Sequence, residues 1–167
     1  GYIAVGHSNS PFVSAYPWSN LGFGIKYADP GTLPVSTVNG VKFSSTAGEI
    51  VTGHTTTPFV TAYPWSGLGF GTKYANPSTL PSGTGRSVAF TAANDVVLIG
   101  HNLGLALSPY AWSSSGFGTK FAGPATIHSG VPLSPQFNAA ASAVVTASGT
   151  SPYIQACAWG SSVFGTK

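Results

Sequence analysis

The sequence is built from a repeat of 47 residues that runs along the chain without insertion or deletion. Residues 1–47 and 48–94 are identical at 26 of 47 positions. The only four tryptophans lie one period apart, as do four Phe-Gly pairs and four lysines: Trp18, Trp65, Trp112 and Trp159; Phe23, Phe70, Phe117 and Phe164; Lys26, Lys73, Lys120 and Lys167. A period of this length with several short apolar runs per copy predicts a radial or linear array. We therefore treat residues 1–167 as one domain, with repeats 1–47, 48–94, 95–141 and 142–167.

The composition favours an ordered all-β protein over a disordered one. Only 5% of the residues are charged, and the chain contains 22 Gly and 13 Pro, which is typical of either low complexity or many tight turns. Aromatic residues make up 13%, and disordered chains contain few of them because they bury too little apolar surface to offset ordering entropy. We therefore expect short strands joined by turns.

The charges argue against several classes of function. A net charge of +3 arises from six dispersed basic residues and three acidic ones, whereas nucleic-acid binders concentrate more positive charge on one face. The single cysteine, Cys157, excludes an intrachain disulfide and a cysteine-based metal site. No apolar run is long enough to span a membrane. We expect no cofactor, and the low charge suits a virion-bound or extracellular protein.

The second repeat shows how one unit is organised. Short β-branched and aromatic runs alternate with turn residues, and no stretch has helical periodicity with caps. Residues 70–74 alternate with period two, which predicts a strand with Phe70, Thr72 and Tyr74 on one face. Residues 77–85 are a long loop rich in Pro, Gly, Ser and Thr. Four short antiparallel strands closed by a long loop are the unit of a β-propeller blade.

Two known classes of repeat protein resemble this unit. In WD-repeat proteins the innermost strand and its turn resemble residues 88–94, the second strand resembles 95–101, and the third strand closes with a Trp, as at Trp65. The Asp that follows the second strand in that family is missing here, so its Asp-His-Ser-Trp hydrogen-bond network does not carry over. Residues 53–66 and 69–77 are similar to the units of propeller-like repeat proteins encoded by tailed bacteriophages and prophages, and that resemblance implies a structural or adhesion role.

When the strands are assigned to blades in this way, the chain contains three strands (residues 2–7, 11–18 and 23–28) followed by three complete four-stranded blades. The total is about 3.75 blades. Such an arc exposes apolar faces and open strand edges at both ends. We therefore expect a homo-oligomer, with a dimer completing one ring. A closed four-bladed monomer and a fragment of a longer parent protein are the competing interpretations.

Repeated histidines are the first candidates for a site. His7, His54 and His101 lie at the end of the second strand, and the fourth repeat has Ser148. They are compatible with a metal site or a pH-sensitive ring. However, neighbouring blades hold them too far apart to share zinc at about 2 Å. A structural hydrogen bond to the loop before the next strand is the favoured interpretation, and we expect no metal.

The tryptophans and lysines are the second set of candidates. Trp18, Trp65, Trp112 and Trp159 are candidate partner or sugar contacts, but recurrence in every blade favours packing between blades. We expect Trp65 and Trp112 to be buried. Lys73 and Lys120 are predicted to be exposed at the rim, where charge discourages edge pairing.

No catalytic constellation emerges from the sequence. The three acidic residues, Asp29, Glu49 and Asp95, occupy different positions of the repeat and none recurs. No nucleophile elbow, phosphate loop or cluster of metal ligands is present. The sequence therefore favours a non-enzymatic structural or adhesion module that contacts virion proteins or a host surface. The alternative is a glycan-binding propeller with one shallow site per blade.

Overall fold

A computed structural model describes residues 1–103, 106–125, 131–160 and 163–165. Those residues form fifteen strands in four antiparallel sheets and contain no helix. The first blade comprises β1 (Tyr2–Gly6), β2 (Val13–Ser19) and β3 (Gly22–Phe23). The second comprises β4 (Val38–Phe43), β5 (Glu49–His54), β6 (Val60–Ser66) and β7 (Gly69–Phe70). The third comprises β8 (Gly85–Phe90), β9 (Val96–His101), β10 (Leu107–Ser113) and β11 (Gly116–Lys120). The fourth comprises β12 (Pro132–Phe137), β13 (Ala143–Ser148), β14 (Ile154–Gly160) and β15 (Val163–Phe164).

The blades are arranged around a common axis. In the four-stranded blades the order is β4-β5-β6-β7, β8-β9-β10-β11 and β12-β13-β14-β15, and the first blade has the order β1-β2-β3. Strand β4 packs beside β8, and β8 packs beside β12, so the first strand of each complete blade is the innermost. The predicted all-β propeller architecture of about 3.75 blades is confirmed.

Each blade has two chemically different faces. The face toward the next blade in the sequence, here called the forward face, carries small and aliphatic side chains. The face toward the preceding blade, the backward face, carries aromatic ones. Val51, Val60 and Ala62 of the second blade thus pack with Tyr110 and Trp112 of the third. The same pairing recurs on both sides of this contact, with Ala4 and Ala15 against Tyr63 and Trp65, and Leu98 and Leu107 against Val144 and Trp159.

Glycine in the second strand allows the blades to approach closely. A Cβ added at Gly6 would lie 2.7 Å from the carbonyl oxygen of Val38, in the innermost strand of the next blade. A Cβ at Gly53 would lie 3.0 Å from the carbonyl carbon of Gly85, in the equivalent strand of the third blade. Backbone atoms cannot yield as a flexible side chain does, so these contacts require glycine.

The outermost strands are shorter than predicted. β3 and β7 contain two residues each, whereas β11 contains five. In the first two blades the neighbouring strand has Pro17 or Pro64, whose carbonyl accepts a bond from Gly24 or Gly71 but which has no N–H to return. The third blade has Ala111 at that position, and its ladder continues to Lys120.

A register shift after Phe70 overturns the predicted side-chain alternation, because Gly71 N–H bonds to Pro64 and Tyr74 N–H bonds to Ala62, so that three residues lie opposite two. Phe70 packs against Trp65 of its own blade, on the backward face. Tyr74 packs against Trp112 of the next blade, on the forward side. The two rings therefore lie on opposite faces, and the prediction of a single face for residues 70–74 was wrong.

The described part of the chain forms an open arc. Trp18 on the backward face of the first blade is 44% exposed, and Ile154 on the forward face of the fourth blade is 72% exposed. In a ring closed within one chain these two faces would cover each other. The closed four-bladed monomer is therefore not the observed arrangement.

Candidate functional site

The repeated histidines bridge the second and third strands of their own blades. His54 Nε2 lies 2.9 Å from Thr61 Oγ1, and His101 Nε2 lies 2.9 Å from Ser108 Oγ. His7 makes the equivalent contact with Ser14 at 3.1 Å. Its Nδ1 lies 2.7 Å from the carbonyl oxygen of Asn9, so Nδ1 donates and Nε2 accepts the Ser14 hydroxyl. Each imidazole thus links the second strand of its blade to the third by a side-chain hydrogen bond.

Burial keeps the interior imidazoles neutral. Desolvation lowers the pKa of His54 from its usual value, and it lowers the pKa of His101 to about 4. Both side chains are essentially inaccessible to solvent, whereas His7 on the open backward face is partly exposed. A neutral imidazole that is already bonded to a hydroxyl inside a blade stabilises the fold and does not present itself to a ligand.

The fourth blade replaces both members of this pair. Ser148 stands in place of the histidine, and Gln155 stands in place of the hydroxyl residue. The Ser148 hydroxyl donates to the carbonyl oxygens of Thr150 at 2.7 Å and Pro152 at 3.1 Å. The joint replacement indicates that the histidine and its hydroxyl partner function as a unit.

The tryptophans lie inside aromatic cages between blades. Trp65 and Trp112 are 4% and 6% exposed. Trp112 makes edge contacts with Phe90 and Phe117 of its own blade and with Tyr74 of the preceding one, at centroid distances of 5.5, 5.0 and 5.7 Å. The indole nitrogens of Trp65 and Trp112 have no hydrogen-bond partner within the described residues. Their packing is apolar, unlike the hydrogen-bonded Trp of the WD-repeat network.

Trp18 differs because the first blade has an open backward face. Its indole packs against Phe23 at 5.0 Å, while the other members of the cage seen around Trp112 come from an innermost strand and from a preceding blade. The described chain supplies neither of these at the first blade. Trp18 is thus surrounded by only part of the aromatic cage that encloses Trp112.

The prediction that Lys73 and Lys120 are exposed at the rim was wrong. Lys120 is half-buried, with its Nζ donating to the carbonyl oxygen of Leu80 at 3.0 Å and lying 5.9 Å from the centre of the Tyr110 ring. Lys73 is also half-buried and donates to Asn76 Oδ1 at 2.6 Å. Burial lowers the pKa of both amines. Lys120 therefore anchors the long loop before the third blade. Lys167 lies outside the described residues.

The acidic residues are dispersed, and Asp29 and Asp95 each bond to a side chain close by in the sequence. Asp29 forms a salt bridge with Lys26 at 2.6 Å, and Asp95 accepts a hydrogen bond from Thr91 at 2.5 Å. Glu49 lies near Tyr74, where burial and secondarily this carboxylate raise the tyrosine pKa. The described residues contain no cluster of three His, Cys, Asp or Glu side chains arranged for a metal ion. Across the ranges that the structure describes, Asp29, Glu49 and Asp95 occupy three separate places in the fold.

A cavity of about 510 Å³ opens on the axis at the end of the innermost strands. Lys42 and Gln136 lie at its lining beside Ala4 of the first blade. Apart from Ser45, the rest of the polar and aromatic lining repeats with the period of the chain: Phe43, Phe90 and Phe137, each followed by Ser44, Thr91 or Asn138. Aromatic rings beside hydroxyl and amide groups suit an uncharged polar ligand. Sequence reasoning missed this cavity, although a repeated Phe followed by a polar residue was a signal for it.

Exposed aliphatic side chains at the outer rim are a second feature that sequence reasoning missed. Leu21 and Leu68, at equivalent hairpin tips of the first two blades, are 93% and 94% exposed. Ile25 lies close to Leu21 in sequence and is also exposed. The equivalent position in the third blade is Ser115. The hairpin tips are therefore apolar in the first two blades and polar in the third.

The fold defines the class of protein: an arc of β-propeller blades. Solved β-propellers are similar to it. A chain of a nidogen/laminin complex aligns with a TM-score of 0.66 and 8% identity over 95% of this chain and 58% of that chain. A putative 6-phosphogluconolactonase from Bacteroides uniformis aligns with a TM-score of 0.68 and 12% identity over 91% of this chain and 46% of that chain.

A third neighbour, the hydrazine synthase of Kuenenia stuttgartiensis, aligns with a TM-score of 0.58 and 8% identity over 77% of this chain and 34% of that one. At these identities the likeness shows the fold alone. The chain spans about half the length of the first and second neighbours and a third of the last. No protein-family model matches the sequence, and no curated protein does.

Within the described residues no helix has the length and apolarity that crossing a bilayer requires.

Proposed function

We propose that this protein is a non-enzymatic structural or adhesion module, located on a virion or outside the cell, that contacts virion proteins or a host surface. The exposed aliphatic rim at Leu21, Ile25 and Leu68 carries the proposal. Apolar side chains grouped on an exposed rim are typical of protein contact sites. The repeat's similarity to phage-encoded units and its low charge support the location, and a second copy of the chain is among the proposed partners.

The placement of the polar groups favours binding over catalysis. His54 and His101 are buried and bonded within their hairpins, and Lys120 is bonded to a loop carbonyl. These three side chains are thus committed to holding the blades together. A rigid frame with an apolar rim suits an adhesion module.

The repeat itself supplies the variants for a test. A triple variant Leu21→Ser, Ile25→Thr and Leu68→Ser introduces the residue types found at equivalent positions of other repeats, so the fold should be kept. Val35→Ser, in the long loop before β4, introduces the residue of the second repeat at an exposed position away from this rim and serves as the control. We expect the triple variant to lose co-sedimentation with virions or attachment to host cells, while the control keeps it. Unchanged association of the triple variant would contradict the proposed role of the rim.

A glycan-binding propeller is the second candidate, and the axial cavity favours it. Lys42 and Gln136 line this cavity from equivalent positions of two blades, where the third blade has Ala89. The substitutions Lys42→Ala and Gln136→Ala therefore copy a residue that the repeat already uses. If the protein is a lectin, a glycan array will show binding that these variants weaken. Binding with one site per blade would survive them, and a blank array would leave adhesion through the rim as the only candidate.

A further inference from the structure

The two end faces of the arc are the two halves of the contact that holds the blades together. Inside the chain, the aliphatic forward face of one blade covers the aromatic backward face of the next at three successive junctions. At the ends, one face of each kind is uncovered. The first blade exposes a backward face with Ile3, Tyr16, Trp18 and Phe23, and the fourth exposes a forward face with Val145, Ile154 and Ala156.

We infer that a second copy of this chain closes the ring, with the forward face of each fourth blade seated on the backward face of the other copy's first blade. The inference extends the homo-oligomer named in the proposed function. Trp65, Trp112 and Trp159 are covered in this manner within the chain. Seating Ile154 and Val145 over Trp18 would bury aliphatic against aromatic surface at both seams of the ring.

The curvature of the arc is compatible with two copies. The chain aligns along 95% and 91% of its length with propellers of which it covers 58% and 46%. It therefore superimposes on about half of the length of each of these two chains. Two such arcs complete one ring of about eight blades, which lies within the usual range of four to eight.

A residue at the seam favours a second copy over further repeats of the same chain. At Gly6 and Gly53 a Cβ would collide with the backbone of the innermost strand of the next blade, whereas at Gly100 it would lie 3.4 Å from the carbonyl oxygen of Pro132, an ordinary contact distance. The fourth blade has Ala147 at this position, on the exposed forward face. An alanine there suits a neighbour without an innermost strand. The sheet β1-β2-β3 is such a blade, since β1 occupies its inner edge.

The test measures mass and uses two complementary variants. We expect the wild-type chain to have twice its 16.9 kDa mass by light scattering and sedimentation. Trp18→Asp places a carboxylate on the backward end face, and Ile154→Asp places one on the forward end face. In a dimer of either variant each of the two seams receives one carboxylate, which loses its hydration on closure. We therefore expect either variant to raise the dimer dissociation constant at least about 100-fold. Val35→Asp, at an exposed position of the loop between the first and second blades and away from both end faces, should remain dimeric.

Mixing the variants tests which faces meet. In the proposed ring a Trp18→Asp chain and an Ile154→Asp chain share one seam without a carboxylate, so an equimolar mixture should form more dimer than either variant alone. If like faces met instead, one of the single variants would remain dimeric by itself and mixing would add nothing, which would overturn the head-to-tail seam. A wild-type mass of one chain, or of three or more chains, would overturn the two-copy ring. Circular dichroism of each variant identifies any loss of folding, and the mass readout does not depend on the rim's binding partner.

Discussion

Tyr27 of the first blade packs edge-on against Trp65 of the second, with ring centroids 5.0 Å apart and planes at 82°. Tyr74 and Trp112 repeat the contact at 5.7 Å, and Phe121 and Trp159 repeat it at 6.3 Å. In each case the aromatic residue that follows Lys at the outer edge of one blade closes the indole cage of the next. The cages thus join blades to each other as well as filling them.

We expect Trp65→Ala to lower the free energy of unfolding by about 3–5 kcal/mol, because it removes the centre of this cage and leaves a cavity between two blades. Chemical denaturation measures the loss. Leu68→Ala, three residues away but exposed, should change stability by no more than about 0.5 kcal/mol. Equal effects of the two substitutions would show that the cage contributes little.

Stability should fall at mildly acidic pH because buried His101 resists protonation. Its folded-state pKa of about 4 lies below the ordinary value of 6.5, so its contribution is complete above pH 6.5 and is lost as the pH falls toward 4. The difference corresponds to about 3 kcal/mol. The double variant His101→Ser, Ser108→Gln copies the fourth blade and should remove this part of the pH dependence. Denaturation curves of the two proteins at pH 7 and pH 4 provide the comparison, and an equal drop in both would contradict the assignment.

Lys120→Met should loosen the loop before the third blade. The substitution removes the hydrogen bond to Leu80, and we expect a loss of about 1–2 kcal/mol with faster amide exchange in residues 77–84. Lys26 occupies the same position of the repeat but pairs with Asp29 at the surface. Lys26→Met should therefore cost less than about 1 kcal/mol. If both substitutions change amide exchange in residues 77–84 equally, the bond from Lys120 to Leu80 does not hold this loop.

The thiol of Cys157 should be unreactive in the native protein. The side chain is buried on the backward face of the fourth blade, where the other repeats have Tyr. Thiol reagents attack an exposed thiolate, so modification should require unfolding. A colorimetric thiol assay with and without denaturant measures this. Rapid modification in buffer alone would show that the fourth blade opens readily.

Much of the fold follows from the period of the sequence. The recurrence of Trp65 and Trp112 at one position correctly predicts burial, since a large ring that is present in every blade has to pack at every junction. The number of strands follows for the same reason, because each apolar run recurs with its own turn. These features depend on local pattern, which a single sequence displays.

The errors occurred where one strand depends on a neighbour. Phe70 and Tyr74 alternate correctly in sequence, but the hydrogen bonds to the adjacent strand shift from Gly71–Pro64 to Tyr74–Ala62, and the extra residue turns Tyr74 to the other face. The change from Pro64 to Ala111 was visible and predicts the longer β11. Burial of Lys120 depends on the backbone path of residues 77–84. This loop has no alternation of apolar and polar residues from which its conformation could be predicted. The axial cavity likewise arises from three blades meeting.

Tyrosine hydroxyls form hydrogen bonds that connect each interior blade to the loop that precedes it. Tyr63 donates to the carbonyl oxygen of Thr32 at 2.7 Å, and Tyr110 donates to that of Thr79 at 2.9 Å. A single detached chain should therefore fray from its ends. The first blade has no preceding loop within the described chain, and the fourth has Cys157 in place of the tyrosine. In a linear array with nearest-neighbour coupling, the second and third blades, each held on both faces, are then the last to melt.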